Sequence, residues 1–180
     1  GYGTPRLTVK VANAQPQALT IVGTSTRVLQ DILVGEVWMC SGQSNMGFKL
    51  NSDWNGDLEA AASNLPNLRL ISVPQVGTQE LKTDFKGQWR ASTAETARAF
   101  SAVGFLFGRY IHEIVGVPVG LIDNAWGGSA AEAWVRRTTI ENEPRFQALM
   151  DGTSKREGDL RSAKGQAAAE SARAEWKVAS

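Results

Sequence analysis

The chain has 180 residues, 42% hydrophobic and 21% charged, with a formal net charge of +1. That mix is the composition of a globular domain with a sizeable core, and it lacks the basic field that would mark a nucleic-acid or anionic-membrane partner. No stretch approaches the ~18 uninterrupted apolar residues of a bilayer span, and a lone cysteine, Cys40, rules out an intrachain disulfide or a thiolate metal cluster.

Residues 7–11 alternate apolar and polar side chains as a half-buried strand does. Residues 18–22 and 27–34 predict two more strands, separated by Gly23-Thr24-Ser25, so the chain opens like the end of an all-β unit. At Gly35 the texture changes. Residues 34–40 form a short apolar strand that runs directly into Ser41-Gly42-Gln43-Ser44-Asn45, a turn-rich pentamer. Leu58, Ala61, Ala62 and Leu65 recur at helical spacing until Pro66, and residues 68–73 read as another apolar strand.

Ser92 and Glu95 have capping-box spacing ahead of a long helix, with Phe100, Val103, Phe107, Ile111 and Ile114 on its buried face and Gly116 at its end. Residues 117–122 are apolar on both faces, as parallel strands are, and exit into Asp123-Asn124-Ala125-Trp126-Gly127-Gly128. Ser129 and Glu132 repeat the capping-box spacing before a helix through Trp134 and Val135. Pro144 fits the first turn of a short helix ending near Met150, residues 151–159 read as a polar linker, and an Ala-rich connector helix follows Asp159. This alternation of strands and helices predicts a doubly wound α/β sheet, whose ligands bind beyond the carboxyl ends of its strands. Both glycine-rich turns, after Cys40 and after Ile122, fall at such ends.

Ser44 is the central candidate for chemistry. A serine at a tight strand-to-helix turn presents its hydroxyl at the top of a sheet, and the helix start behind it offers free N–H groups to an anionic intermediate. Gly42 permits the turn, and Gln43 and Asn45 set polar groups beside the reacting centre. The wider segment Val34-Gly35-Glu36-Val37-Trp38-Met39-Cys40-Ser41-Gly42-Gln43-Ser44-Asn45-Met46 resembles the nucleophile segment of sialate O-acetylesterases and related carbohydrate esterases of the SGNH hydrolase superfamily. Residues 101–108 resemble the family's second block, and residues 120–134 its third, which often reads Trp-Gly-Gly-Thr with Glu-Ala-Trp following.

The resemblance implies an SGNH, flavodoxin-like parallel-sheet hydrolase domain, partial, over residues 34–150. The last strands of a β-sandwich-like domain would precede it over 1–33, with a linker and connector helix over 151–180. It implies hydrolysis of O-acetyl esters on sugars, whether sialic acid or plant glycans, without cofactor or metal, and a secreted or periplasmic location. Ser44 would be the nucleophile. Ser44 and Gly104 would contribute to the oxyanion hole, completed by the Asn124 amide or by the N–H of Gly127 or Gly128. Gln43, Asn45, Trp126 and Glu132 would contact substrate. The family's base lies in a downstream Asp-x-x-His segment that these residues lack, which leaves it to a missing carboxyl-terminal half or a partner chain. A non-catalytic carbohydrate-binding or structural module is the competing reading.

The remaining candidates are weaker. His112, the single histidine, falls inside the predicted long helix and reads as a surface or packing residue rather than a base. Cys40 ends a buried strand and reads as a small hydrophobe. Asp53, Asp57 and Glu59 lie at a helix start, where acids favour the dipole, rather than forming a metal cluster. The six tryptophans (Trp38, Trp54, Trp89, Trp126, Trp134 and Trp176) read mainly as core, with one or two available as platforms for sugar rings.

Overall fold

The computed structural model describes residues 11–77, 81–162 and 164–171. All but Val11 of the strand expected at 7–11, and Trp176, therefore lie outside the described residues. The chain divides into two compact units, residues 1–129 and 130–180.

In the first unit, the strands expected at 18–22 and 27–34 are present as β1 (Asn13–Val22) and β2 (Thr26–Val34), paired antiparallel as a separate two-stranded sheet. The register slips around Gln17 and Leu19, and opposite that slip Asp31 adopts φ 57°, an excursion that re-aims its side chain. The Asp31 carboxylate receives both terminal nitrogens of Arg69, at 2.6 and 2.9 Å.

The main sheet contains β3 (Glu36–Gly42), β4 (Leu65–Ser72), β5 (Arg90–Ser92) and β6 (Val119–Ala125) in the order β3-β6-β4-β5. The first three in that order run parallel and β5 is antiparallel to β4, which makes the unit mixed α/β. The three parallel strands fall within about three residues of their predicted positions. Their order differs from the flavodoxin type, in which the first strand lies inside the sheet. Here β3 is at the edge and β6 is central. The two are zipped from their first residues: Glu36 N–H donates to the Pro118 carbonyl at 2.9 Å, and a Cβ at Gly35 would fall 1.9 Å from that same oxygen.

The core lies on one face of this sheet. Leu68, Leu70, Val119, Leu121 and Cys40 pack against Leu50, Ala60, Ala97, Phe100 and Phe105. Each large side chain sealed here contributes ~1.5–3 kcal/mol of burial. Helix α1 (Ser44–Gly47) is a single turn, and α2 (Gly56–Ala61) ends earlier than predicted because Leu65 and Pro66 already belong to β4, leaving Leu58 exposed. The long helix predicted from residue 95 is broken into α3 (Ala94–Arg98) and α4 (Ala102–Val115). Thr93 and Thr96, not Ser92 and Glu95, cap α3 reciprocally, while the buried Ser92 hydroxyl donates to the Ser63 carbonyl at 2.7 Å. Ser101 starts α4 afresh, and the restart changes its phase. Gly104, Phe105 and Gly108 are buried, whereas Val103 is half exposed and Ile114 is 77% exposed. Gly108 lets α4 settle onto Leu121, whose Cδ1 lies 2.4 Å from where a Cβ would stand.

In the second unit, a 3₁₀ turn (Ala131–Trp134) replaces the helix expected after Ser129, which does not cap it. The Ser129 hydroxyl is instead given to the Trp126 carbonyl at 2.7 Å. Helix α5 (Arg137–Glu141) follows, then a 3₁₀ turn (Pro144–Phe146) with Pro144 in its first turn, then α6 (Gln147–Arg161). The polar linker expected at 151–159 is therefore helix. Side-chain pairs along its surface support it: Gln147 with Asp151 at 2.9 Å, and Arg137 of α5 with Glu157 at 3.5 Å. Residues 164–171 are also helical.

None of the five described tryptophans is buried. Trp54 is 94% exposed, and Trp38, Trp89, Trp126 and Trp134 are about 40% exposed. The core is built of aliphatic side chains and two phenylalanines instead. No helix among the described residues is long and apolar enough to cross a membrane.

Candidate active site

Strands β3 and β6 stay in register to their carboxyl ends, where Gly42 faces Ala125. Gly42 has φ 144°, which only glycine adopts without strain, and it turns the chain so that Ser44 opens α1. One turn is too short for a macrodipole, so any donation to an anion comes from individual N–H groups. The ladder gains one rung beyond the strands, from Trp126 N–H to the Gly42 carbonyl at 2.9 Å. The next residue is thereby laid against the serine. A Cβ at Gly127 would stand 3.6 Å from Ser44 Oγ and 3.7 Å from its Cα. Gly128 follows with φ 77°.

Gln43 spans the turn and the loop. Its Nε2 donates to the Ser129 carbonyl at 3.0 Å, and its Oε1 lies 3.4 Å from Ser44 Oγ, a long, weak contact. Among the described residues the N–H groups of Gly127 and Gly128 have no acceptor. The main chain of Gly127 therefore lies beside Ser44 at the carboxyl end of the sheet.

The other candidates are placed less simply. Gly104 has its N–H already engaged. Its N–H donates to Ser101 Oγ at 3.0 Å as part of the α4 cap, and a Cβ there would meet Cys40 Sγ at 2.8 Å, so the glycine serves close packing. Asn124 pairs in register with Ser41, on the sheet face opposite to Asp123. Asn45 is exposed on α1, Trp126 is 39% exposed at the head of the loop, and Glu132 lies in the 3₁₀ turn of the second unit. Glu59 forms an ion pair with Arg109, so its carboxylate is already engaged. Burial raises the Cys40 thiol above its ordinary value, and the nearby Asp123 charge adds to the effect, which leaves it a poor nucleophile.

His112 stands at the wrong end of the sheet. Its Nδ1 lies 2.7 Å from the Val117 carbonyl, an acceptor, so that nitrogen carries the proton. Val117 precedes β6, whereas Ser44 lies beyond the far ends of β3 and β6. At ~3.3 Å per residue, the seven residues of β6 separate the two by ~20 Å.

Three residues at the serine end were not among the sequence candidates for a role. Asp123, 4% exposed, accepts Lys49 Nζ at 2.8 Å on Oδ2 and the Ala125 N–H at 3.2 Å on Oδ1. Gln75 Nε2 donates to the Ala125 carbonyl at 3.1 Å. The only local signal was the polar Asp123 at the end of an apolar strand. Lys49 and Gln75 reach the site across 74 and 50 residues of chain.

A family model for carbohydrate esterases, sialic acid-specific acetylesterases, matches residues 34–165. The chain belongs to this family. Its match covers all three motifs and every site residue named above. The sialate O-acetylesterase of Mus musculus is 33% identical over 134 residues, covering 69% of this chain and 25% of that protein. The Homo sapiens sialate O-acetylesterase is 34% identical over 127 residues, 66% of this chain and 24% of that one. The chain thus spans about a quarter of the length of these curated relatives. The crystal structure of a carbohydrate acetylesterase from Xanthomonas citri is 33% identical, with a TM-score of 0.71 over 79% of this chain and 33% of that one.

Proposed function

We propose that this chain carries the nucleophile-bearing part of an SGNH-type serine esterase that removes O-acetyl groups from carbohydrates. The observation that carries the reading is the main chain of Gly127 lying against Ser44, at the carboxyl ends of two parallel strands. Ser44 Oγ attacks the acetyl carbonyl carbon while a base takes its proton. The carbonyl oxygen becomes an anion that the Gly127 and Gly128 N–H groups receive. The sugar oxygen departs with the proton, and water then cleaves the acetyl-serine, releasing acetate and restoring the hydroxyl.

The base is the part these residues do not place. A serine hydroxyl is a weak nucleophile until an oriented base removes its proton, and the chain's one imidazole sits ~20 Å away at the far end of β6. The proposal therefore assigns the base to an Asp-x-x-His segment outside these 180 residues. Family membership supports an O-acetylated sugar as substrate, with sialic acid and plant-glycan esters both open, and a location outside the cytoplasm.

The test is acetate release from an aryl acetate by the purified chain, by a longer protein that includes the Asp-x-x-His segment, and by Ser44→Ala versions of both. The longer protein should turn over and lose turnover in Ser44→Ala, while the chain alone stays within background. Robust turnover by the chain alone would refute the assignment of the base. Turnover that survives Ser44→Ala would refute the site.

A further inference from the structure

Ala125 is the last residue of β6 before the glycine loop, and both polar atoms of its main chain are held by side chains. The reason lies in β4. The β4–β6 ladder ends with Val73 N–H donating to the Asp123 carbonyl at 2.9 Å. Pro74 follows, has no N–H to offer, and enters a turn in which Val76 N–H returns to its carbonyl at 2.9 Å. The next rung would have used the Ala125 N–H and carbonyl on the β4 side. Asp123 Oδ1 takes the N–H at 3.2 Å and Gln75 Nε2 takes the carbonyl at 3.1 Å, so two side chains extend the ladder where the strand has stopped.

Each grip is itself anchored. Asp123 is almost fully buried and held by Lys49, which lies two residues beyond α1, so the same carboxylate touches both the nucleophile segment and the loop. Ala125 also stands against α1: a Cβ on Gly47 would lie 3.7 Å from the Ala125 Cβ and 3.9 Å from the Gly127 nitrogen. Two residues downstream, the Gly127 main chain meets Ser44. A shift of Ala125 therefore moves the glycine amides relative to the serine hydroxyl.

We infer that Gln75 and Asp123 are positioning residues for the esterase reaction, setting the Gly127 and Gly128 N–H groups against Ser44 through the main chain of Ala125. The inference deepens the esterase reading and rests on it for its catalytic consequence. Gln75 is the cleaner probe because it is exposed, so its replacement leaves the core intact. Gln75→Leu removes the donor at similar size. Gln75→Glu puts a carboxylate against the Ala125 carbonyl, which repels it when ionised and can donate to it when protonated.

The experiment has two arms. In the purified chain, amide exchange at Ala125 and Trp126, whose N–H groups donate to Asp123 Oδ1 and to the Gly42 carbonyl, is measured by NMR for the parent sequence, Gln75→Leu and Gln75→Glu. In the longer protein, kcat and KM for an aryl acetate are measured from acidic to neutral pH, with Ser44→Ala as reference. Loss of one exposed hydrogen bond should speed exchange at both residues about threefold to tenfold and lower kcat by a similar factor, with KM changed less than about twofold. Gln75→Glu should be at least as impaired as Gln75→Leu at neutral pH and recover toward the parent on acidification, a signature that a general loss of packing would not produce. Unchanged exchange and unchanged kcat in Gln75→Leu, or a Gln75→Glu profile parallel to the parent's, would overturn the inference while leaving Ser44 in place. Turnover that survives Ser44→Ala would instead sink the esterase reading, and the exchange arm alone would then decide whether Gln75 sets the loop.

Discussion

The two ends of the parallel strands are built by different means. At the amino ends the main chain packs on itself: Gly35 is pressed against Pro118, Glu36 N–H meets the Pro118 carbonyl, and His112 reaches the Val117 carbonyl. At the carboxyl ends side chains do the holding. Gln43 grips Ser129, Gln75 grips Ala125, and the buried Asp123 joins Lys49 to the same residue. The first arrangement closes the sheet. The second sets the exposed Ser44 beside the main chain of Gly127. An imidazole at the first end therefore does no work at the second, whatever its chemistry.

The largest expected effect follows from that contrast. In a longer protein that supplies the base, Ser44→Ala should lower turnover of an aryl acetate by at least ~10³-fold. His112→Ala in the same protein should leave kcat/KM within about twofold. A large loss in His112→Ala with the fold intact by circular dichroism would break the contrast between the two ends.

Gly127→Ala comes next. Its methyl would stand 3.6 Å from Ser44 Oγ, in the space an acetyl group must enter. The expected outcome is a kcat/KM loss of ~10²-fold, comparable to losing an oxyanion donor, with little change in thermal midpoint.

A third substitution sharpens the distinction between packing and chemistry on α4. In Gly108→Ala the new Cβ would lie 2.4 Å from Leu121 Cδ1 in the sealed core. Overpacking costs ~1–3 kcal/mol, against which Ala regains ~1 kcal/mol of helix propensity. Denaturant unfolding should show a net loss of up to ~2 kcal/mol by these two figures.

The smallest effect concerns pH at the hairpin. Hydrogen bonding to Arg69 holds the Asp31 carboxyl below its ordinary value. A carboxylate with a lowered folded pKa adds stability above its unfolded value of 3.8, and that contribution is lost as pH falls through the lower folded value. Asp31→Asn should therefore be slightly less stable than the parent at neutral pH and converge with it in acid. A gap that stays constant down the acid range in unfolding curves would show that the pair does not titrate as described.

Much of the sheet was legible in the sequence, because residues 68–73 and 117–122 are short apolar runs bounded by turn residues. The nucleophile turn was legible for a related reason: glycine at position 42 is a conformational requirement written in a single letter. What failed was phase and reach. Residues 95–115 look like one amphipathic helix, but Ser101 starts a new one, and the buried face moved from Val103 and Ile114 to Gly104, Phe105 and Gly108. Ser92 lost the cap to Thr93 because its hydroxyl had a buried carbonyl to satisfy. The stretch at 151–159 looked too polar for structure, yet paired side chains carry it as helix. Gln75 and Lys49 carry no local signature, since what they do depends on partners far away in the chain.

The central claim is that Ser44 takes the acyl group. Its most direct test is peptide mass spectrometry of the longer protein quenched during turnover of an acetyl ester. The account predicts an acetyl group on the peptide that carries Ser44, absent from the same peptide of Ser44→Ala. An acetyl group trapped on another residue, or one that persists in the variant, would contradict it.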